Sequence, residues 1–161
     1  MIIRKATWND FPEMQRLYAH AREQMKKNGN PTQWGDNRPP INTVKRDLAF
    51  GRSYVTEENG HICGTFAFAE GPDDTYGEIM GAWLNEEPYV TVHRLASDNT
   101  APGVFSAAIA FAAGAGRDIR MDTHENNAIM RHLFEKYGFQ YCGIIITDDG
   151  TPRRAYQKLH E

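Results

Sequence analysis

Two hydrophobic periods alternate in this sequence, and each change of period marks an element. Ile2 to Lys5 reads as a short first strand. Asn9 or Asp10 then caps a helix with Pro12 in its first turn, and the apolar residues Met14, Leu17, Tyr18, Ala21 and Met25 fall on one helical face. Asn28 to Pro40 holds two glycines, three prolines and three asparagines, which predicts an irregular excursion with little regular hydrogen bonding. A second helix is expected over about Ile41 to Phe50, starting near Asn42 or Thr43. Strand-like runs Ser53–Glu57 and His61–Glu70, joined by Glu58, Asn59 and Gly60, predict a hairpin.

A loop over Gly71 to Tyr76 follows, then Gly77 to Leu84, whose pattern fits neither period, and then a strong strand, Tyr89 to Ala96. The alanine-rich run Gly103 to Ala115 predicts a helix, Asp118 to Thr123 a strand, and Asn127 to Tyr137 a further helix. Phe139–Thr147 and Arg153–Leu159 predict a closing hairpin turned by Asp148, Asp149 and Gly150. The order is βααβββαβαββ, with no internal repeat, linker or low-complexity segment.

Composition narrows the function classes. At 161 residues, 40% apolar and 24% charged, the chain can build one full core, and a single domain over 1–161 is expected. A formal net charge of -3, with no basic run interleaved with aromatics, disfavours nucleic acid. No apolar run has the length of a membrane span, and MIIRKATWND lacks the features of a signal peptide, so the expectation is a cytoplasmic protein without a membrane partner. Cys63 and Cys142 sit in apolar, strand-like surroundings without a second ligand at metal spacing; they read as two buried small hydrophobes, and no metal is expected.

The stretch DTHENNAIMRHLFEKYGF, Asp122 to Phe139, carries the most specific signal. Ile129, Met130, Leu133 and Phe134 form an apolar helical stripe, and Gly138 is suited to stop the helix in a left-handed conformation. Together with Asn127, Tyr137 and Phe139 this series resembles the last-helix signature of the GNAT superfamily of acyl-CoA N-acyltransferases. Met130 replaces the usual alanine and Phe134 the usual tyrosine. The element order matches that family over nearly the whole chain.

The resemblance implies an α/β fold of the mixed α+β kind: a central, twisted, mostly antiparallel sheet with helices on both faces. It implies transfer of an acetyl group from acetyl-CoA to an amine of a small molecule, amino acid or peptide, by direct attack. The alternative is a degenerate domain that binds a CoA-like or other small ligand without turnover. The pantetheine arm would pair with a splayed strand ending in Leu95, Ala96 and Ser97, and the pyrophosphate would meet the next helix at Gly103, Val104, Phe105 and Ser106. That loop departs from the family pattern: Pro102 lacks an N–H, and the Phe105 ring either turns into the core or closes the cradle. Asn127 would bond the pantetheine, or simply cap its helix. A homodimer paired along the carboxy-terminal hairpin is a further implication.

Such chemistry needs a proton acceptor, an oxyanion donor and an acid for the departing thiolate. His93, Asp122 and His124 lie where two neighbouring strands end and are the candidates for the base, while a core histidine or polar loop bonds would explain them equally. Arg94 titrates too high to be a base and is expected to pair with a carboxylate. With Phe134 lacking a hydroxyl, Tyr137 is the candidate acid, unless it packs the helix end. Trp34, Asp36, Arg38, Tyr76 and Trp83 are the candidates for the acceptor pocket.

Overall fold

The computed structural model describes residues 1–161. β1 (Ile2–Lys5) leads through a single 3-10 turn, Trp8–Asp10, into α1 (Phe11–Lys27) and, after the irregular segment, α2 (Ile41–Ala49). Asp10 stands at the cap position of α1 but gives that helix no side-chain bond: its carboxylate accepts the Thr7 amide at 2.8 Å and pairs with Arg4 at 2.8 Å, so it fixes the preceding turn and ties it to β1. α2 begins slightly earlier than its polar residues suggest. Pro40 is extended, and its carbonyl accepts from Thr43 and Val44 at 3.0 and 3.2 Å, which starts the helix at Ile41.

The remaining elements are β2 (Ser53–Glu58), β3 (His61–Glu70), β4 (Met80–Gly81), β5 (Tyr89–Ser97), α3 (Val104–Ala113), β6 (Asp118–Thr123), α4 (Ala128–Lys136), β7 (Gln140–Ile146) and β8 (Pro152–Lys158). The ambiguous stretch over 77–84 therefore contributes a two-residue strand that the sequence pattern missed. Its pairing with β7 brings Gly81 against Gly143, and a Cβ on Gly81 would lie 2.2 Å from the Cys142 carbonyl oxygen. Only glycine permits that approach.

All eight strands form one sheet in the order β1-β2-β3-β5-β6-β8-β7-β4, antiparallel except between β5 and β6. α1 and α2 cover one face through Met14, Leu17, Tyr18, Val44 and Leu48. α3 and α4 cover the other through Phe105, Ala108, Ile109, Ala112 and Phe134, packed on Phe66, Val92 and Met121. Cys63 and Cys142 are both buried and unpaired. No helix is long and apolar enough to cross a membrane.

Two irregularities in β5 create the site. First, β5 and β6 are paired only from Tyr89–Asp118 to Thr91–Arg120, so Val92 to Ser97 run on without a partner on that side. Second, the β3–β5 register slips between Thr65–Ala96 and Ala67–His93, and within this bulge Arg94 takes a left-handed φ of 52°. A bulge of this kind bends its strand and re-aims side chains. The sheet opens as a V with its mouth between β5 and β6.

Candidate active site

Two cavities meet in that V. One, of about 360 Å³, lies over β3, β5 and β6 beneath the segment joining α1 to α2. The other, of about 610 Å³, runs between α1, the end of β5, and the starts of α3 and α4. They share Met25, Leu95, Asn127 and Met130, so the unpaired edge of β5 and the start of α4 form the passage between them.

On the floor of the smaller cavity, His93 Nε2 lies 2.8 Å from Asp73 Oδ2, and His93 Nδ1 lies 4.0 Å from Asp122 Oδ2. Tyr76 donates its hydroxyl to Asp122 Oδ2 at 2.6 Å. Burial pushes the Asp73 carboxyl up, but the His93 bond and charge and the Thr75 amide outweigh it and hold the group below its ordinary range. Burial, reinforced by the charge of Asp122, raises the Tyr76 phenol well above its ordinary value. Tyr76 therefore remains a hydrogen-bond donor that orients Asp122. Arg94, turned by the bulge, makes a bidentate pair with buried Asp47 of α2 at 2.7 and 2.9 Å.

Around the passage, Gln33 Oε1 accepts from Asn30 Nδ2 at 2.8 Å, Asn127 Nδ2 at 3.1 Å and Thr123 Oγ1 at 3.3 Å. Asn127 also caps α4 by accepting the Met130 amide at 3.0 Å. The irregular segment is thus fastened to the mouth of the V by side chains.

The larger cavity reaches the start of α3. Gly103 caps this helix at φ 90°, and the Phe105 ring turns inward, 7% exposed, against Phe134 and Tyr137 with centroids at 6.0 and 5.4 Å. The ring therefore lies in the core while the first turn of α3 lines the cavity. A Cβ on Gly103 would meet only Ser106 Oγ, at 3.4 Å, so the demand for glycine here is conformational rather than spatial.

The sequence candidates divide between these regions. Trp34, Arg38, His93 and Asp122 line the smaller cavity. Ala96, Ser97, Val104, Ser106 and Tyr137 line the larger one, with Gly103 and Phe105. Leu95 and Asn127 line both.

Four candidates lie elsewhere. Tyr76 is 2% exposed and sits behind the floor. Trp83 donates to the Tyr76 carbonyl at 3.0 Å and lies over the Arg120 guanidinium at 4.2 Å, which makes it a buttress rather than a wall. His124 spends Nδ1 on the Asn126 amide at 3.0 Å, closing the turn into α4, and approaches Thr32 through Nε2 at 3.4 Å. Asp36 pairs with Lys26 on the surface.

Asp73, Gln33, Asn30 and Asp47 were not distinguishable in the sequence. Asp73 lies beyond the end of β3 and meets His93 because its loop folds back over β5, with its amide donating to the Tyr89 hydroxyl at 2.7 Å, a contact that no local spacing encodes. No cluster of three or more histidine, cysteine, aspartate or glutamate side chains is arranged to hold a metal.

Comparison with solved structures is decisive for the family. A GNAT-family acetyltransferase from Streptococcus agalactiae is 33% identical, with 99% of this chain and 95% of that one aligned and a TM-score of 0.86. The chain belongs to the GNAT family. A second member of the comparison, a putative acetyltransferase from Staphylococcus aureus, is 25% identical over the full length of both chains, with a TM-score of 0.72. At 15% identity, a putative acetyltransferase from Salmonella typhimurium, solved with its cofactor acetyl-CoA, shares the GNAT fold over 99% of this chain and 94% of its own, with a TM-score of 0.64. No protein-family model and no curated protein matches the chain. The β5–β6 opening thus lies in a GNAT acetyltransferase fold.

Proposed function

We propose that this GNAT domain is an acetyl-CoA-dependent N-acetyltransferase, with the larger cavity receiving the acyl donor and the smaller one the amine acceptor. The observation that carries this reading is the junction of the two cavities at the unpaired edge of β5, within reach of His93. The residues present suit the donor. Asn30 is 2% exposed, lines the larger cavity and has a buried Oδ1 with no partner, available to an amide N–H of the pantetheine arm. The first-turn amides of α3, Val104 to Ser106, have no partner within the helix and lie at its positive end, suited to the pyrophosphate.

Acetyl-CoA supplies the acetyl group as an activated thioester. Unpaired backbone along Val92 to Ser97 offers hydrogen bonds to the pantetheine and a donor for the oxyanion. With His93 Nε2–H donated to Asp73, Nδ1 holds the free lone pair and takes the proton from the acceptor ammonium. Asp122, fixed by Tyr76, attracts that ammonium from the other side. Tyr137 stands in the larger cavity as the hydroxyl nearest in sequence to Phe134, and a water is an equal source of the proton for the leaving thiolate.

The second reading, ligand binding without turnover, is favoured by Phe134: it is fully buried among Phe105, Phe139 and Tyr156 and brings no hydroxyl to the site. Isothermal titration with acetyl-CoA, then release of CoA in the presence of an amine panel, separates the two. Micromolar binding with amine-dependent release is expected. Binding without release under any amine supports the second reading, and no binding of acetyl-CoA removes the enzyme and leaves the cleft to another small ligand.

A further inference from the structure

Two arginines are buried to the same degree in this protein, Arg120 and Arg153, each 5% exposed. A buried guanidinium loses several kcal/mol of hydration that must be repaid locally. Arg120 is repaid by two rings, Trp83 at 4.2 Å and Tyr89 at 4.0 Å, and by the Asn85 carbonyl at 2.8 Å. Arg153 has no such sandwich. Nη1 donates to Thr151 Oγ1 at 2.7 Å and the Pro152 carbonyl at 2.8 Å, and Nη2 donates once, to the Gln33 carbonyl at 3.2 Å. Its nearest carboxylate oxygen, Asp149 Oδ2, is 3.9 Å away and is shared with Arg38 at 3.8 Å, while Thr147 and Thr151 hold Oδ1. One Nη2 hydrogen and the Nε hydrogen make no hydrogen bond within the protein, yet no Arg153 nitrogen is sealed off without a partner, whereas Arg120 Nε is.

Arg153 lines the smaller cavity, and so do Arg38, Arg46 and Arg52. Arg38 is spent on Asp148 at 2.7 Å, and Arg94 on Asp47, whereas Arg46 and Arg52 have no carboxylate partner. The carboxylates at the opposite end, Asp73 and Asp122, gather around His93. The cavity is therefore polarised, acidic where the amine must be deprotonated and basic toward β8 and the end of α2. Asp122 faces Ala155 across the β6–β8 pair, and Arg153 lies two residues along β8, about 8 Å away between Cα atoms from strand spacing. An amine and an acid group a few bonds apart would span these poles, given the length of the arginine side chain.

Resting on the acetyltransferase reading, we infer that the acceptor is an amino acid or a close analogue, its ammonium placed between His93 and Asp122 and its carboxylate received by Arg153. The ammonium gives one proton to His93, and the amine nitrogen forms the new bond to the acetyl carbon as the carbon–sulfur bond breaks. The second proton that the nitrogen loses balances the one the departing thiolate takes, through Tyr137 or a water, so that CoA leaves as the thiol. The carboxylate is unchanged and serves as the anchor. Arg153 is thus a specificity residue rather than a catalytic one.

The test pairs each amino acid with its carboxamide as acceptor, using the full chain and acetyl-CoA, and repeats the series with Arg153→Gln and Arg153→Lys. At least one acid is expected to exceed its carboxamide about ten- to a hundredfold in kcat/KM, the worth of one or two charge-assisted hydrogen bonds. Arg153→Gln should erase that ratio by raising the KM of the acid, and Arg153→Lys should restore part of it. A purely structural Arg153 would lower acid and amide together and leave the ratio intact, which overturns the inference. So does turnover of plain amines or carboxamides with no preference for acids, a result that leaves the acetyltransferase reading standing.

Direct titration with N-acetyl amino acids, the product class, reads the anion site without turnover. Binding that weakens about tenfold or more in Arg153→Gln supports it. The absence of binding by any N-acetyl amino acid counts against the site even if acetyl-CoA binds. Failure of acetyl-CoA itself to bind would instead count against the acetyltransferase reading.

Discussion

His93 acquires its direction from Asp73, and under the proposed mechanism this single contact orients it as the base. Asp73→Asn keeps the shape but removes the charge that stabilises the imidazolium and leaves the tautomer unspecified. A fall in kcat of about tenfold or more, with acetyl-CoA affinity retained, is expected. An unaltered kcat would remove Asp73 from the mechanism. Phe134 offers a complementary test. It is fully buried, with the Tyr156 centroid at 4.5 Å and the Phe139 centroid at 5.2 Å, so a hydroxyl placed there meets rings rather than the reacting atoms. Phe134→Tyr is therefore expected to cost about 1–3 kcal/mol of stability, from a buried group without a partner, and to leave turnover no faster. Faster turnover in that variant would show that the ring position does reach the thiolate.

The connection between β5 and α3 owes its shape to Asp98. This buried carboxylate takes the Thr100 hydroxyl at 2.6 Å and amide at 3.0 Å, His61 Nε2 at 2.7 Å and Arg16 of α1 at 3.1 Å. Burial pushes it up, but Thr100, His61 and Arg16 together outweigh that and bring it down to about 2. A carboxyl whose folded value lies below its unfolded one contributes stability that is complete above the unfolded value and is lost as pH falls through the folded one. Here the window runs from about pH 4 down to about pH 2, and the contribution is about 2 kcal/mol. In urea unfolding, the wild-type advantage over Asp98→Asn should shrink across that window. A difference that stays constant with pH would mean the aspartate acts by shape alone. The same contacts set the loop against α1, so weaker acetyl-CoA binding in the variant is the expected functional consequence.

The sheet as a whole is built around a missing stretch of pairing. β5 bonds to β6 over three residue pairs, and the rest of its β6-facing edge is unpaired beside the two cavities. A ligand lying in the V would supply bonds to that edge and join the β1–β5 half to the β6–β8 half. Acetyl-CoA is expected to raise the Tm and to slow hydrogen exchange at the amides of residues 92–97 more than at β7. Uniform protection across the sheet would argue for general stiffening instead.

Most of the architecture is legible in the sequence itself. The helical face of α1, the Met130, Leu133 and Phe134 side of α4, from which exposed Ile129 departs, the turn at Asn59–Gly60 and the glycine stop at Gly138 are local patterns, and local sterics and burial period are written in adjacent residues. Asn127 and the GNAT-like helix that follows it were legible for the same reason. The short β4 was not, because two residues carry no period and their pairing depends on the distant Gly143. Tertiary packing turned Phe105 into the core, gave Tyr76 to Asp122, and set Asp73 on His93 and Arg153 beside the smaller cavity, while the turn that occupies His124 is a local contact with Asn126. A side chain's charge and hydrogen-bonding capacity belong to its residue, but what repays them is fixed only when strands far apart in sequence are laid side by side.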